Sequence, residues 1–189
     1  AANVDPCVLE LGGKSAAVVY PDADIGNLID NVRWGIFFNA GQVCSAMSRV
    51  VVHESINDEV VDGIVALANR MSVGPGLERP EFGENMGPMI SEKQRDRAVA
   101  MCASATRDGA NPAAGGHTID GPGFFMQPTV FTNVDPDMNI ARDEIFGPVL
   151  TVIPFHDDND AMSIANGTDY GLVGGVFTRD LDRATQVAK

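Results

Sequence analysis

Phe-Phe-Asn-Ala-Gly-Gln-Val-Cys-Ser, residues 37–45, is the junction on which the reading of this chain turns. Before it, Ile25, Leu28, Ile29, Val32, Ile36 and Phe37 recur at helical spacing, which predicts a helix over 25–39 with Asp22 or Asp24 as its cap. Trp34 and Phe38 make that helix apolar on more than one side, so it is expected to be well buried. Gly41 ends it. After the junction, residues 48–53, with three consecutive valines, read as a strand. Upstream, residues 16–20 form another short apolar strand, bounded by Pro21-Asp22. Strand, helix and strand in succession are the unit from which parallel sheets are built.

The same alternation continues outward. Helices are predicted over 56–71 and from Ser91 to about Arg107, where Ser91 and Gln94 have the spacing of a capping box. Residues 72–90, rich in Gly and Pro, read as an irregular surface loop. Strands follow near 111–115, 128–134 and 149–153, a helix over 157–165, a strand over 172–178 and a last helix capped by Asp180. The fold class is α/β, three layers αβα around a mainly parallel sheet, and residues 1–189 form one domain.

Composition bounds the function. With 189 residues, 44% hydrophobic and 21% charged, the chain can bury a core of its own. No apolar run approaches the roughly 20 residues of a membrane span, and no basic segment followed by an apolar one opens the chain. A formal charge of −13, spread along the sequence, argues against a nucleic-acid or anionic-membrane surface. Three cysteines without ligand-like spacing (Cys7, Cys44, Cys102) fit a reducing compartment, and the cytoplasm is the expected one. His53, His117 and His156 are far apart, so no metal is expected. The acidic run 157–160 reads as a helix N-terminus rather than a calcium loop.

Chemistry concentrates at three places. Cys44 stands in a short loop between helix and strand, close to backbone N–H groups, where a nucleophile is commonly found. A lone cysteine is more often a small core residue, so its companions decide. Glu10 lies in Leu-Glu-Leu-Gly-Gly-Lys-Ser, whose glycine pair breaks the chain before a strand and lets the backbone approach something closely. Gly-Gly-Lys-Ser is not a phosphate loop, because that loop follows a strand and opens a helix. Apolar Val8, Leu9 and Leu11 predict partial burial of Glu10. Glu144 lies in Asp-Glu-Ile-Phe-Gly-Pro-Val, which leads into a strand.

Taken together in this order, these motifs and the later run Asn-Gly-Thr-Asp-Tyr-Gly-Leu (166–172) resemble the catalytic domain of the NAD(P)-dependent aldehyde dehydrogenase superfamily across essentially the whole chain. The resemblance implies oxidation of an aldehyde to a carboxylic acid with NAD or NADP. It implies Cys44 as nucleophile, Glu10 as the base that activates water, and Glu144, Phe146, Leu11 and Gly12 as residues at the nicotinamide and its ribose. Lys14 reads as an ion-pairing residue beside Glu10 or Glu144. Met47 stands where the family commonly has Gly. The partner expected is a small aldehyde, not nucleic acid or membrane, and the parent is expected to be a homo-oligomer, dimer or tetramer. The family's cofactor-binding domain and C-terminal segment are expected to lie outside this chain, which alone should be inactive as a dehydrogenase. An intact set of Glu10, Cys44 and Glu144 favours an enzyme over a scaffolding relative, and Glu10 leans against an acylating member that hands its thioester to coenzyme A.

Overall fold

The computed structural model describes residues 8–78 and 85–189. A six-stranded sheet forms its centre, in the order β5-β6-β7-β2-β1-β8. These strands are β1 (Ala16–Val19), β2 (Arg49–His53), β5 (Asn111–Ala114), β6 (Thr129–Thr132), β7 (Val149–Phe155) and β8 (Gly174–Phe177). Every pairing is parallel except β5 with β6 at one edge. Successive residues of β1, and nearly all of β2 and β7, are buried, so both faces of the sheet are covered. The covering helices include α1 (Ile25–Val32), α2 (Asn57–Arg70), α3 (Glu92–Arg107), α5 (Asp158–Asn166) and α6 (Leu181–Val187). Leu28, Phe37, Ile64, Phe131, Leu150 and Phe155 are among the side chains that close the core. Among the described residues no helix is long and apolar enough to cross a membrane.

Helix starts follow the local chemistry. Asp24 caps α1 by accepting the Asn27 N–H, Ser91 caps α3 through the Gln94 N–H, and Asp157 caps α5 through the Asp160 N–H. Each such cap is worth about 1 kcal/mol. Asp22, the other candidate for α1, instead accepts bonds from Thr178 Oγ1 and the Arg179 N–H and pairs with Arg183.

Three expectations change. The helix predicted over 25–39 is regular only to Val32; Arg33–Phe37 widen into a π turn and Phe38–Gly41 tighten into a 3-10 turn. Trp34 and Phe38 are 40% and 53% exposed, so the additional apolar sides of this helix face outward instead of into the core. Within the loop expected over 72–90, β3 (Ser72–Val73) and β4 (Asn85–Met86) pair in parallel, and Met86 and Met89 are buried anchors; residues 79–84 lie outside the described residues. A further short helix, α4 (Asn139–Arg142), follows the turn begun by Pro136.

Candidate active site

Four loops lead into the adjacent parallel strands β7, β2, β1 and β8, and parallel pairing sets them side by side at one edge of the sheet. They carry Glu144–Phe146, Cys44, Gly12–Gly13 and Tyr170 respectively. Residues more than a hundred positions apart in sequence meet there.

The Cys44 loop is held in an unusual backbone path. Asn39, Ala40 and Gly41 are three consecutive left-handed residues, with φ of 52°, 53° and 69°. Conformations of this kind cost of order 1 kcal/mol per non-glycine residue and persist only when their surroundings enforce them. Here the enforcement is local and tertiary. Asn39 Nδ2 donates to the Gln42 carbonyl at 2.9 Å, Gln42 Nε2 returns a bond to the Asn39 carbonyl at 3.0 Å, and Gln42 Oε1 accepts the Ile90 N–H at 2.8 Å. A side chain at Gly41 would run into the Gly147 carbonyl, so only glycine lets the two loops touch. The chain then makes a turn closed by the Ala46 N–H on the Val43 carbonyl at 3.0 Å, with Cys44 at its first corner. The Cys44 thiol is free and half-buried. Met47 fills the room left by two glycines, packing its side chain against Gly35 of the π turn and Gly175 of β8.

Gly12 and Gly13 pass between this turn and the carboxylate of Glu144. A side chain on Gly13 would collide with the Cys44 carbonyl. The Gly13 N–H donates to Glu144 Oε1 at 3.0 Å. A Cβ on Gly12 would lie 2.9 Å from Glu144 Oε2 and 2.9 Å from the edge of the Tyr170 ring. The close approach expected of the glycine pair is therefore to Cys44 on one side and to Glu144 and Tyr170 on the other. A small cavity lined by Gly13, Ile36, Val43, Ser48, Glu144 and Phe146 lies between these loops.

Phe146 is itself left-handed, with φ of 57° and a ring 37% exposed. The strain is braced from α3. Gln94 Nε2 donates to the carbonyls of Ile145 and Phe146 at 2.9 and 2.8 Å, and Arg97 donates to those of Ile145 and Glu144, each at 3.0 Å. Gln94 thus does not complete the capping box that its spacing suggested. Its amide serves a loop 51 positions away. No local pattern announces such a partner, and Arg97 carries no sequence signal beyond its place one turn further along the helix.

Glu10 and Leu11 depart from expectation. Glu10 is exposed and has no hydrogen-bond partner among the described residues, and Val8, Leu9 and Leu11 are 89%, 70% and 58% exposed. The apolar neighbours cover nothing here, so the carboxylate stays in solvent. Lys14 makes no ion pair among the described residues: it is 2% exposed and its Nζ has no hydrogen-bond partner. Burial, reinforced by the charge of Arg49, lowers its pKa to about 7 against the pull of Asp143 and Glu144. Arg49 is buried as well, and that burial lowers its pKa to about 10. Cys102 lies buried on α3, where burial pushes the thiol up to about 12, so it is inert. Cys7 lies outside the described residues. His53 bonds Ser55, and His156 meets Glu54 at 2.7 Å. Among the described residues no group of three or more His, Cys, Asp or Glu could hold an ion.

A half-buried thiol in a turn that follows a strained segment, with its carbonyl against a glycine that also binds a carboxylate, is an arrangement suited to covalent chemistry. Comparison with known proteins agrees with it. The profile of the Aldehyde dehydrogenase family matches residues 1–189. Cytosolic aldehyde dehydrogenase 1 of Mus musculus is 42% identical over 187 residues, which cover 99% of this chain and 37% of the relative. A probable betaine aldehyde dehydrogenase of Schizosaccharomyces pombe is 44% identical over 179 residues, 94% of this chain and 35% of that protein. The solved NAD+ complex of the Bacillus cereus aldehyde dehydrogenase superposes with a TM-score of 0.90 at 42% identity, covering 95% of this chain and 36% of that one. The chain therefore spans little more than a third of the length of the relatives it matches. From a match that runs from end to end and a shared fold at this level of identity, the chain belongs to the aldehyde dehydrogenase family.

Proposed function

We propose that the protein carrying this chain oxidises an aldehyde to a carboxylic acid with NAD or NADP, using Cys44 as its nucleophile. One observation carries the reading: the glycine pair is wedged between the Cys44 turn and the Glu144 carboxylate, so that nucleophile and cofactor cradle share one backbone segment. An sp2 aldehyde carbon does not readily release hydride. Addition of the Cys44 thiolate makes it tetrahedral, as a thiohemiacetal whose oxyanion lies within reach of the Cys44 N–H. When bound, the nicotinamide supplies the hydride acceptor. Loss of hydride from the tetrahedral carbon leaves a thioester on Cys44. Glu10, exposed and without a hydrogen-bond partner among the described residues, then takes a proton from water, which attacks the thioester and releases the acid and the thiol.

The residues present fit a nicotinamide cofactor. Glu144 spends one oxygen on the Gly13 N–H and keeps lone pairs for a vicinal diol such as the ribose hydroxyls. Gly12, where a side chain would collide with Glu144 and Tyr170, keeps its bare backbone against both, and the exposed Phe146 ring and Leu11 offer apolar surface. The compartment proposed for it is the reducing cytoplasm, where a cysteine nucleophile stays a thiol.

The test is aldehyde-dependent reduction of NAD+ or NADP+ by the full-length protein, followed at 340 nm beside Cys44→Ala. Removing a nucleophile should lower kcat by about 10³-fold or more. Turnover by Cys44→Ala within tenfold of wild type would remove Cys44 from the chemistry.

A further inference from the structure

Arg49 opens β2, five positions after Cys44, and is 3% exposed. Its Nε donates to the Lys14 carbonyl at 2.8 Å, its Nη1 to the Ile164 carbonyl at 2.7 Å and its Nη2 to the Ala165 carbonyl at 2.7 Å. A buried guanidinium usually faces a carboxylate. This one faces only carbonyls, two of them from the last turn of α5, the negative end of that helix dipole. The two segments it ties are the ones that meet at Gly12. Lys14 is two residues beyond Gly12, and α5 ends four residues before Tyr170, whose ring edge occupies the place of a Gly12 side chain.

We propose that Arg49 is a positioning residue for the cofactor: by cross-tying the glycine segment to the end of α5, it sets the spacing of Glu144, Gly12 and Tyr170. The inference rests on the functional reading above, in which those residues cradle the cofactor. Arg49 touches no reacting atom; it acts through the Lys14, Ile164 and Ala165 carbonyls. Lysine would keep the charge but has no fork with which to hold three carbonyls in place.

The experiment uses the full-length protein with Arg49→Lys, and Val130→Ala, buried on β6 away from the cradle, as a control for general destabilisation. NAD+ affinity is read by titration calorimetry, together with KM for NAD+, kcat at saturating NAD+, the rate of Cys44 alkylation and the melting temperature. Loss of two charge-assisted bonds should raise Kd and KM for NAD+ in Arg49→Lys about tenfold, with kcat and Cys44 alkylation within about threefold of wild type. Val130→Ala should lower the melting temperature and leave Kd unchanged. A folded Arg49→Lys with wild-type Kd and KM overturns the inference. If Arg49→Lys does not fold, Tyr170→Ala takes its place: it removes the ring from the cradle without touching the Arg49 bonds, and a wild-type Kd there overturns the inference equally. Wild-type protein that neither binds nor reduces NAD+ or NADP+ overturns the functional reading itself, and this inference with it.

Discussion

At Gly13 the Cys44 carbonyl stands where any side chain would have to go. Gly13→Ala must push the Cys44 turn away from the glycine segment, since backbone rather than a flexible side chain is in the way. A loss of about 1–3 kcal/mol is expected in urea unfolding, the range for forcing extra volume into a packed site, with a changed rate of Cys44 alkylation. Cys44 and Cys102 offer a simpler check. Cys44 is half-buried in a turn, whereas the Cys102 thiol is buried and pushed up to about 12. Iodoacetamide should therefore label the Cys44 peptide of the native protein and reach the Cys102 peptide only after unfolding. Lys14 makes stability depend on pH with a definite sign. Its pKa falls from 10.5 to about 7 on folding through burial first and Arg49 second, while Asp143, Glu144 and Cys102 oppose the fall. Above about pH 7 the unfolded chain keeps a proton that the folded chain has released, so stability rises with pH. Between about pH 7 and 9 wild type should gain stability relative to Lys14→Met, in which Cys102 is also present; parallel curves for the two proteins would contradict the assignment. The sequence placed Lys14 in an ion pair because acidic residues lie in the neighbouring motifs. It could not show that the side chain stands two residues before β1, a strand whose every residue is buried.

The working elements here are loops braced by helices. Phe146, with φ of 57°, is held by four hydrogen bonds from Gln94 and Arg97 on one side of α3. Gln94→Leu leaves the Ile145 and Phe146 carbonyls without their amide donor and should cost about 1–3 kcal/mol in chemical unfolding. Phe146→Gly should behave differently. It relieves a left-handed conformation worth about 1–2 kcal/mol while removing a ring that is already partly exposed. Stability should stay within about 1 kcal/mol of wild type, while KM for NAD+ in the full-length protein rises. Equal losses of stability in both variants would mean that the ring is ordinary packing. Local signals gave the helix caps correctly at Asp24, Ser91 and Asp180, because each acts on N–H groups two or three residues away. The same signals misassigned the Gln94 side chain, whose partners lie far along the chain. The break in the first helix was hidden for a similar reason: the residues from Arg33 to Gly41 keep helical spacing, and only contacts from Gly147 and Ile90 reveal why the backbone leaves it.

On the scale of the molecule, the strand order β7-β2-β1-β8 turns four sequence-distant loops into neighbours. Alternating strands and helices were enough to read a mainly parallel sheet from the sequence, and the motifs around Glu10, Cys44 and Glu144 were enough to read the family. Which strands lie side by side was not legible, because that order depends on how helices cover both faces. Glu10 marks the other limit. Its apolar neighbours suggested burial, yet Val8, Leu9 and Leu11 stand exposed together with it. In the proposed mechanism Cys44 carries the acyl group and Glu10 releases it. Intact-protein and peptide mass spectrometry of full-length Glu10→Gln, mixed with an aldehyde and NAD+, tests it most directly. One equivalent of acyl adduct is expected, mapped to Cys44 and accompanied by a single burst of NADH. Steady turnover without an adduct, or an adduct on another residue, would contradict it.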